Sequence, residues 1–166
     1  GVVCVSEMGT LDYSHRTFEL LTLIADYLSD GVQAQDSDEH AGADDGKAIG
    51  TIIDRWCLNA GRYSLGASLL VSQSDNRLRL TAIGEVVRAQ ARALDYVWLW
   101  EGESGRRLVL ALLPLTSVGS AMTLMDRVEG AVRERGGLPF AQAGIQVDAL
   151  ALTGDDSAAT ILERLE

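Results

Sequence analysis

The stretch from residue 67 to residue 150 alternates between two hydrophobic periods, and that alternation leaves few folds open. "ASLLVS" (67–72) is an apolar run of strand length, and residues of about 79–95 repeat apolar side chains at helical spacing. "YVWLW" (96–100) and "RLVLALL" (107–113) are two more strand runs, joined by the polar turn "EGESG". A helix over about 119–135, "GSAMTLMDRVEGAVRER", leads to a strand near 141–150, "AQAGIQVDAL". A short helix follows from about 156, which Asp155, Asp156 or Ser157 can cap. Another helix, about 47–63, precedes the series. The core order is β-α-β-β-α-β, which predicts an α/β (α+β) sandwich of ferredoxin-like or palm type. Its sheet should be mostly antiparallel, with helices on one face. Period-2 alternation puts Tyr96, Trp98 and Trp100 on one side of that sheet, and Trp56, Trp98 and Trp100 are expected in the core or an interface.

The ends read differently. "GVVCV" is a strand candidate, and "RTFELLTLIADYLSDGV" is amphipathic through Phe18, Leu21, Ile24, Ala25 and Leu28. Residues 33–46, "QAQDSDEHAGADDG", are acidic and aperiodic, which is linker composition. The expected division is an appendage over 1–32, a linker over 33–46 and a sandwich over 47–166. Because the chain opens on a strand already under way, it is read as a piece of a longer protein. A formal charge of −10 argues against a DNA- or RNA-binding surface, which needs a basic face. It leaves room for a small anionic ligand held by a few arginines. Cys4 and Cys57 have no CxxC spacing and are expected as reduced core thiols. No apolar run approaches the roughly 20 residues of a membrane span, so no membrane contact is expected from this piece.

Catalytic signals are weak. The acidic cluster Asp36, Asp38, Glu39, Asp44 and Asp45 lacks the register of a calcium loop, and no metal site is expected there. His15 and His40, the two histidines, both lie outside the sandwich, so no Ser-His or Cys-His pair can form within it. Gly102 and Gly105 read as hairpin-turn glycines. The segment "RALD" carries more weight. Arg92 and Asp95 three apart on a helix would make an ordinary surface ion pair, worth a few tenths of a kcal/mol. The same two groups also complement guanine. Arginine can donate two hydrogen bonds to O6 and N7, and a carboxylate accepts from the N1–H and N2–H₂ edge.

With RxxD placed just before the hairpin, the β-α-β-β-α-β order resembles a GGDEF (diguanylate cyclase-like) domain. In that family RxxD is the inhibitory site for cyclic di-GMP, five residues ahead of the signature hairpin. Here that count puts "EGESG" (Glu101–Gly105) in the signature's place, and "RRLVLALLPLT" resembles the strand and turn beyond it. The active signature needs small glycines against the nucleotide and a carboxylate pair on Mg²⁺, and "EGESG" keeps only part of that. "VSQSDNRLRL" stands where a second metal-bearing segment belongs. The resemblance therefore implies a degenerate, non-catalytic domain without a cofactor, since two-metal chemistry has no ligands.

"GVVCVSEM…FELLTLIADYLSD" resembles the last strand and exit helix of a GAF domain, and the GAF–degenerate-GGDEF order is similar to the PelD-like receptors of the Pel exopolysaccharide system. That resemblance implies a cytoplasmic domain of an inner-membrane-anchored protein. Such a domain binds cyclic di-GMP as a stacked pair and signals to other proteins of the secretion complex in biofilm formation. Arg92, Asp95 and Arg127 would hold the ligand, with Arg88 as an extra candidate. Two other readings are weighed beside it: a ligand-free interaction or dimerisation module, and a residual nucleotidyl cyclase.

Overall fold

The computed structural model describes residues 45–166. The GAF-like tail, most of the acidic linker, Cys4, His15 and His40 lie outside the described residues. Helix α1 spans Asp45–Tyr63, strand β1 Ala67–Ser74, helix α2 Arg77–Gln90, and strands β2 and β3 Tyr96–Glu101 and Arg107–Pro114. Helix α3 spans Val118–Glu134, a short α4 Phe140–Ala143, strand β4 Ile145–Leu152 and helix α5 Ala158–Leu165. The sheet order is β2-β3-β1-β4 and every pairing is antiparallel. This is the split β-α-β arrangement that the alternating periods predict, with β3 inserted between β1 and β2.

Register decides what each face buries. Leu70 pairs with Ala111 and Ser68 with Leu113, which places these residues on one face. That face packs on α2 through Ile83, Val86 and Val87, and on α3 through Ala121, Leu124, Met125 and Val128. The α3 set recurs at i, i+3, i+4 and i+7, which is one helical stripe. The other face carries Leu69, Leu108, Leu110 and Leu112, and these are fully buried too.

Helices were expected on one face only, and the structure differs. The second face is covered by α1, whose Ile49, Ile53, Trp56 and Cys57 are buried, together with α5 through Ala158 and Ile161. Tyr96, Trp98 and Trp100 share this face, and the Tyr96 and Trp98 rings stack with centroids 5.6 Å apart. The Asp54 carboxylate of α1 accepts the Ala158 N–H at 2.7 Å and so satisfies one of the orphan amides at the start of α5. Burial pushes the Cys57 thiol up to about 11, and the Asp156 and Asp54 carboxylates add to the shift; it is an inert core thiol.

Two boundaries move from their expected places. Helix α2 ends at Gln90, not near residue 95, so "RALD" is a turn and not a helical pair. The strand expected from 141 begins at Ile145. Pro139 starts the short helix α4, and Gly144 ends it in the left-handed conformation, with φ of 67°. Of the three cap candidates for α5, Ser157 accepts the Thr160 N–H, whereas Asp156 accepts from the Thr153 amide and hydroxyl. Those bonds lower the Asp156 pKa, the Thr153 hydroxyl most.

The α1 layer closes on the sheet through a backbone contact. A Cβ added to Gly154 would stand 2.5 Å from the Cα of Gly61 at the end of α1. Replacing Gly154 by Ala should cost about 1–3 kcal/mol by overpacking in chemical denaturation. A neutral effect would mean that α1 and the β4–α5 turn can separate freely.

Candidate functional site

Asp95 does two jobs at once. Its Oδ2 accepts the Arg92 N–H at 2.7 Å, and its own N–H donates to the Arg92 carbonyl at 3.0 Å. Together the two bonds close a four-residue turn that takes the chain from α2 into β2. The same carboxylate lines a cavity of about 120 Å³. Gln90, Arg92, Asp95, Thr116, Ser120 and Arg127 surround it, over a floor of Leu113 and Leu124. The three residues singled out in two separate stretches, Arg92, Asp95 and Arg127, thus share one pocket. Arg88 is not brought to it; its guanidinium instead donates to the Val97 carbonyl at 3.3 Å.

The electrostatics suit an anion with hydrogen-bond donors on one edge. Arg92 and Arg127 are exposed, and neither guanidinium bonds or ion-pairs with another described residue. Asp95 is half-buried, and burial raises its pKa above the ordinary carboxylate value. The Arg92 N–H bond and the Arg92 charge oppose that rise. A carboxylate partly stripped of water is a strong acceptor for N–H groups that a ligand brings in.

Sequence reading missed Gln90, Thr116, Ser120 and Leu124. Gln90 Nε2 donates to the Arg127 carbonyl at 3.4 Å, tying the end of α2 to α3. Ser120, Leu124 and Arg127 stand at i, i+4 and i+7 on α3, which is one face. That stripe, projected from Arg127, was the available signal. Thr116 is set by the β3–α3 turn. Ser68 Oγ donates to its carbonyl at 2.7 Å, and its own hydroxyl donates to the Pro114 carbonyl at 2.9 Å. Leu115, between them, has φ of 52° and is 60% exposed. A left-handed leucine costs about 1–2 kcal/mol, so this turn is held by its neighbours and not by its own preference.

A second cavity, of about 290 Å³, lies beside the "EGESG" hairpin and is lined by Gln73, Ser74, Asp75, Arg77, Gly105, Arg106 and Arg107. It is the larger, yet most of its charge is spent internally. Arg106 donates to the Leu165 carbonyl at 2.8 Å and to Gln73 Oε1, and Arg107 pairs with Glu101 at 2.6 Å. The hairpin amides of Glu103 and Ser104 donate to the Glu166 carboxylate at 2.7 and 3.1 Å. One carboxylate among three guanidinium groups is a poor donor set for a divalent metal. Among the described residues no group of three or more His, Cys, Asp or Glu side chains converges as metal ligands, and no helix is long and apolar enough to cross a membrane.

The antiparallel sheet, the hairpin turn through Gly105 and the arginine-lined pocket at the RxxD turn are the features expected of a degenerate GGDEF-type domain. The model of the PelD GGDEF domain matches residues 49–166, and the chain belongs to that family. A comparison with curated proteins finds no matching sequence. Among solved structures, PelD from Pseudomonas aeruginosa PAO1 is similar at a TM-score of 0.70 and 23% identity, over 97% of this chain and 57% of that one. The same protein in complex with c-di-GMP gives 0.69 and 22%, over 98% and 57%. PelD from Pseudomonas aeruginosa PA14 with c-di-GMP gives 0.68 and 22%, over 97% and 55%. The chain thus spans little more than half the length of these solved chains, and at such identities the likeness establishes the fold.

The double role of Asp95 gives a test at the level of stability. Its raised pKa means that the folded state holds this proton more tightly than the unfolded state. The stability the group contributes is therefore full below its unfolded pKa and declines as pH rises through the folded one. Asp95→Asn keeps an oxygen for the Arg92 N–H and removes the charge. It should melt at or above the parent temperature at neutral pH. Asp95→Ala loses the turn bond and should cost about 1 kcal/mol. An Asp95→Asn protein melting well below the parent would mean that attraction, not burial, governs this carboxylate.

Proposed function

We propose that the chain is a non-catalytic cyclic di-GMP receptor that regulates exopolysaccharide (Pel) biosynthesis and secretion. The observation that carries this reading is the convergence of Arg92, Asp95 and Arg127 on one pocket, with both guanidinium groups uncommitted. Membership of the PelD GGDEF family supports it, as do the PelD structures in complex with c-di-GMP. Arg92 and Arg127 grip phosphates or stack on guanine, and Asp95 accepts from the guanine N1–H and N2–H₂ edge. The ligand binds as a stacked pair. The non-enzymatic part of the reading rests on the hairpin "EGESG", which keeps only part of the signature, and on the three arginines that line the cavity beside it. On the family resemblance, the domain belongs to the cytoplasmic side of a membrane-anchored protein and signals to partners in the secretion complex.

Calorimetric titration of the 166-residue chain with cyclic di-GMP tests this directly. Micromolar to submillimolar affinity is expected, with Arg92→Ala and Arg127→Ala each weakening it about tenfold to a hundredfold. Parent-like binding by Arg92→Ala would remove the assignment. No binding by the parent chain, with a dimer in light scattering, would favour an interaction module instead. GTP and Mg²⁺ should give no cyclic product.

Affinity should also depend on pH with a defined sign. Asp95 must be ionised to accept both guanine donors, so binding weakens as pH falls through its pKa. Burial places that loss at higher pH than an exposed aspartate would. Titrations from about pH 7 down to about pH 4 read this, and Asp95→Asn should flatten the profile.

A further inference from the structure

The RxxD cavity is small. Pockets that enclose a drug-sized ligand run about 300–1,000 Å³, and this one holds about 120 Å³. A cyclic dinucleotide therefore enters only in part. The cavity has room for about one base against the apolar side chains of Leu113 and Leu124, which would leave the phosphates at the mouth. The mouth carries Arg92, Arg127 and Ser120, all exposed.

The remaining polar lining groups are largely committed. The Thr116 hydroxyl donates to the Pro114 carbonyl, and Gln90 Nε2 donates to the Arg127 carbonyl. Ser120 is different. Its backbone N–H is capped by Ser117 Oγ at 3.3 Å, and the two hydroxyl oxygens lie 3.1 Å apart. A hydroxyl has one donor and two acceptor positions. With the Ser117 hydroxyl donating to Ser120 Oγ, the Ser120 proton can turn outward toward the ligand.

We propose that Ser120 is a further ligand contact of this site, donating its hydroxyl to a phosphate oxygen of the bound cyclic dinucleotide. The inference rests on the receptor reading above. Ser120 stands two turns before Arg127 on the same face of α3, so the two can grip one phosphodiester from the same wall. Asp95 faces the base edge, and no second carboxylate lines the pocket to oppose a phosphate.

The test is a set of cyclic di-GMP titrations on the 166-residue chain with five variants. Ser120→Ala should bind about tenfold more weakly, the loss of one hydrogen bond to a charged group. Ser120→Thr, which keeps the hydroxyl, should stay within about twofold, and Ser120→Asp should abolish binding by charge repulsion. Ser117→Ala removes the helix cap and the hydroxyl that orients Ser120, so it should lower the melting temperature and weaken affinity by less than Ser120→Ala does, because the Ser120 donor remains. Parent-like affinity in both Ser120→Ala and Ser120→Asp, while Arg92→Ala is impaired, would overturn the role of Ser120 and leave the receptor reading standing. Failure of the parent chain to bind would overturn both.

Discussion

The hydrogen bond from the Arg92 amide to the Asp95 carboxylate, 2.7 Å long, organises the RxxD side of this domain. It stops α2, turns the chain through four residues and starts β2, and it leaves both charged side chains at one cavity. A short acidic side chain competes with the helix for a backbone N–H, which is why aspartate is effective at such an exit. The arrangement has an electrostatic cost, because the carboxylate is half-buried and its pKa rises. A bound guanine edge would supply the donors that water no longer can. Structure and recognition draw on the same pair of oxygens.

Much of this was legible in the sequence, and the misplaced parts have physical reasons. The β-α-β-β-α-β order follows from hydrophobic period alone. The exit of α2 did not, because "RAQARAL" is rich in helix formers and nothing in its composition marks a stop before the aspartate. The second helical layer was overlooked although its signal was present. "ASLLVS" and "RLVLALL" are continuous apolar runs, not alternating ones, and such runs mark strands buried on both faces. At the site, RxxD and Arg127 were found through the family resemblance. Ser120 was passed over because Ser117 and Ser120 sit at a helix start, where serines serve as caps.

The two cavities show why volume is a poor guide to function here. The larger one, by the hairpin, is braced from within. Arg106, Arg107 and Glu166 satisfy one another's neighbours, and a side chain at Gly102 would collide with Glu166 and Trp100. The smaller one keeps its two guanidinium groups exposed and without partners among the described residues. Groups that folding has already satisfied have little left to offer a ligand.

Gln90 links α2 to α3 by a single long hydrogen bond, 3.4 Å to the Arg127 carbonyl, directly under the pocket. Any ligand that grips Arg92 beyond the end of α2 and Arg127 on α3 becomes a cross-brace between those helices, in parallel with that bond. By linkage, a force or partner that splays the two helices must lower the ligand's affinity, and the ligand must resist the splaying to the same extent. A ligand held in this way would read the separation of two helices packed on the same face of the sheet.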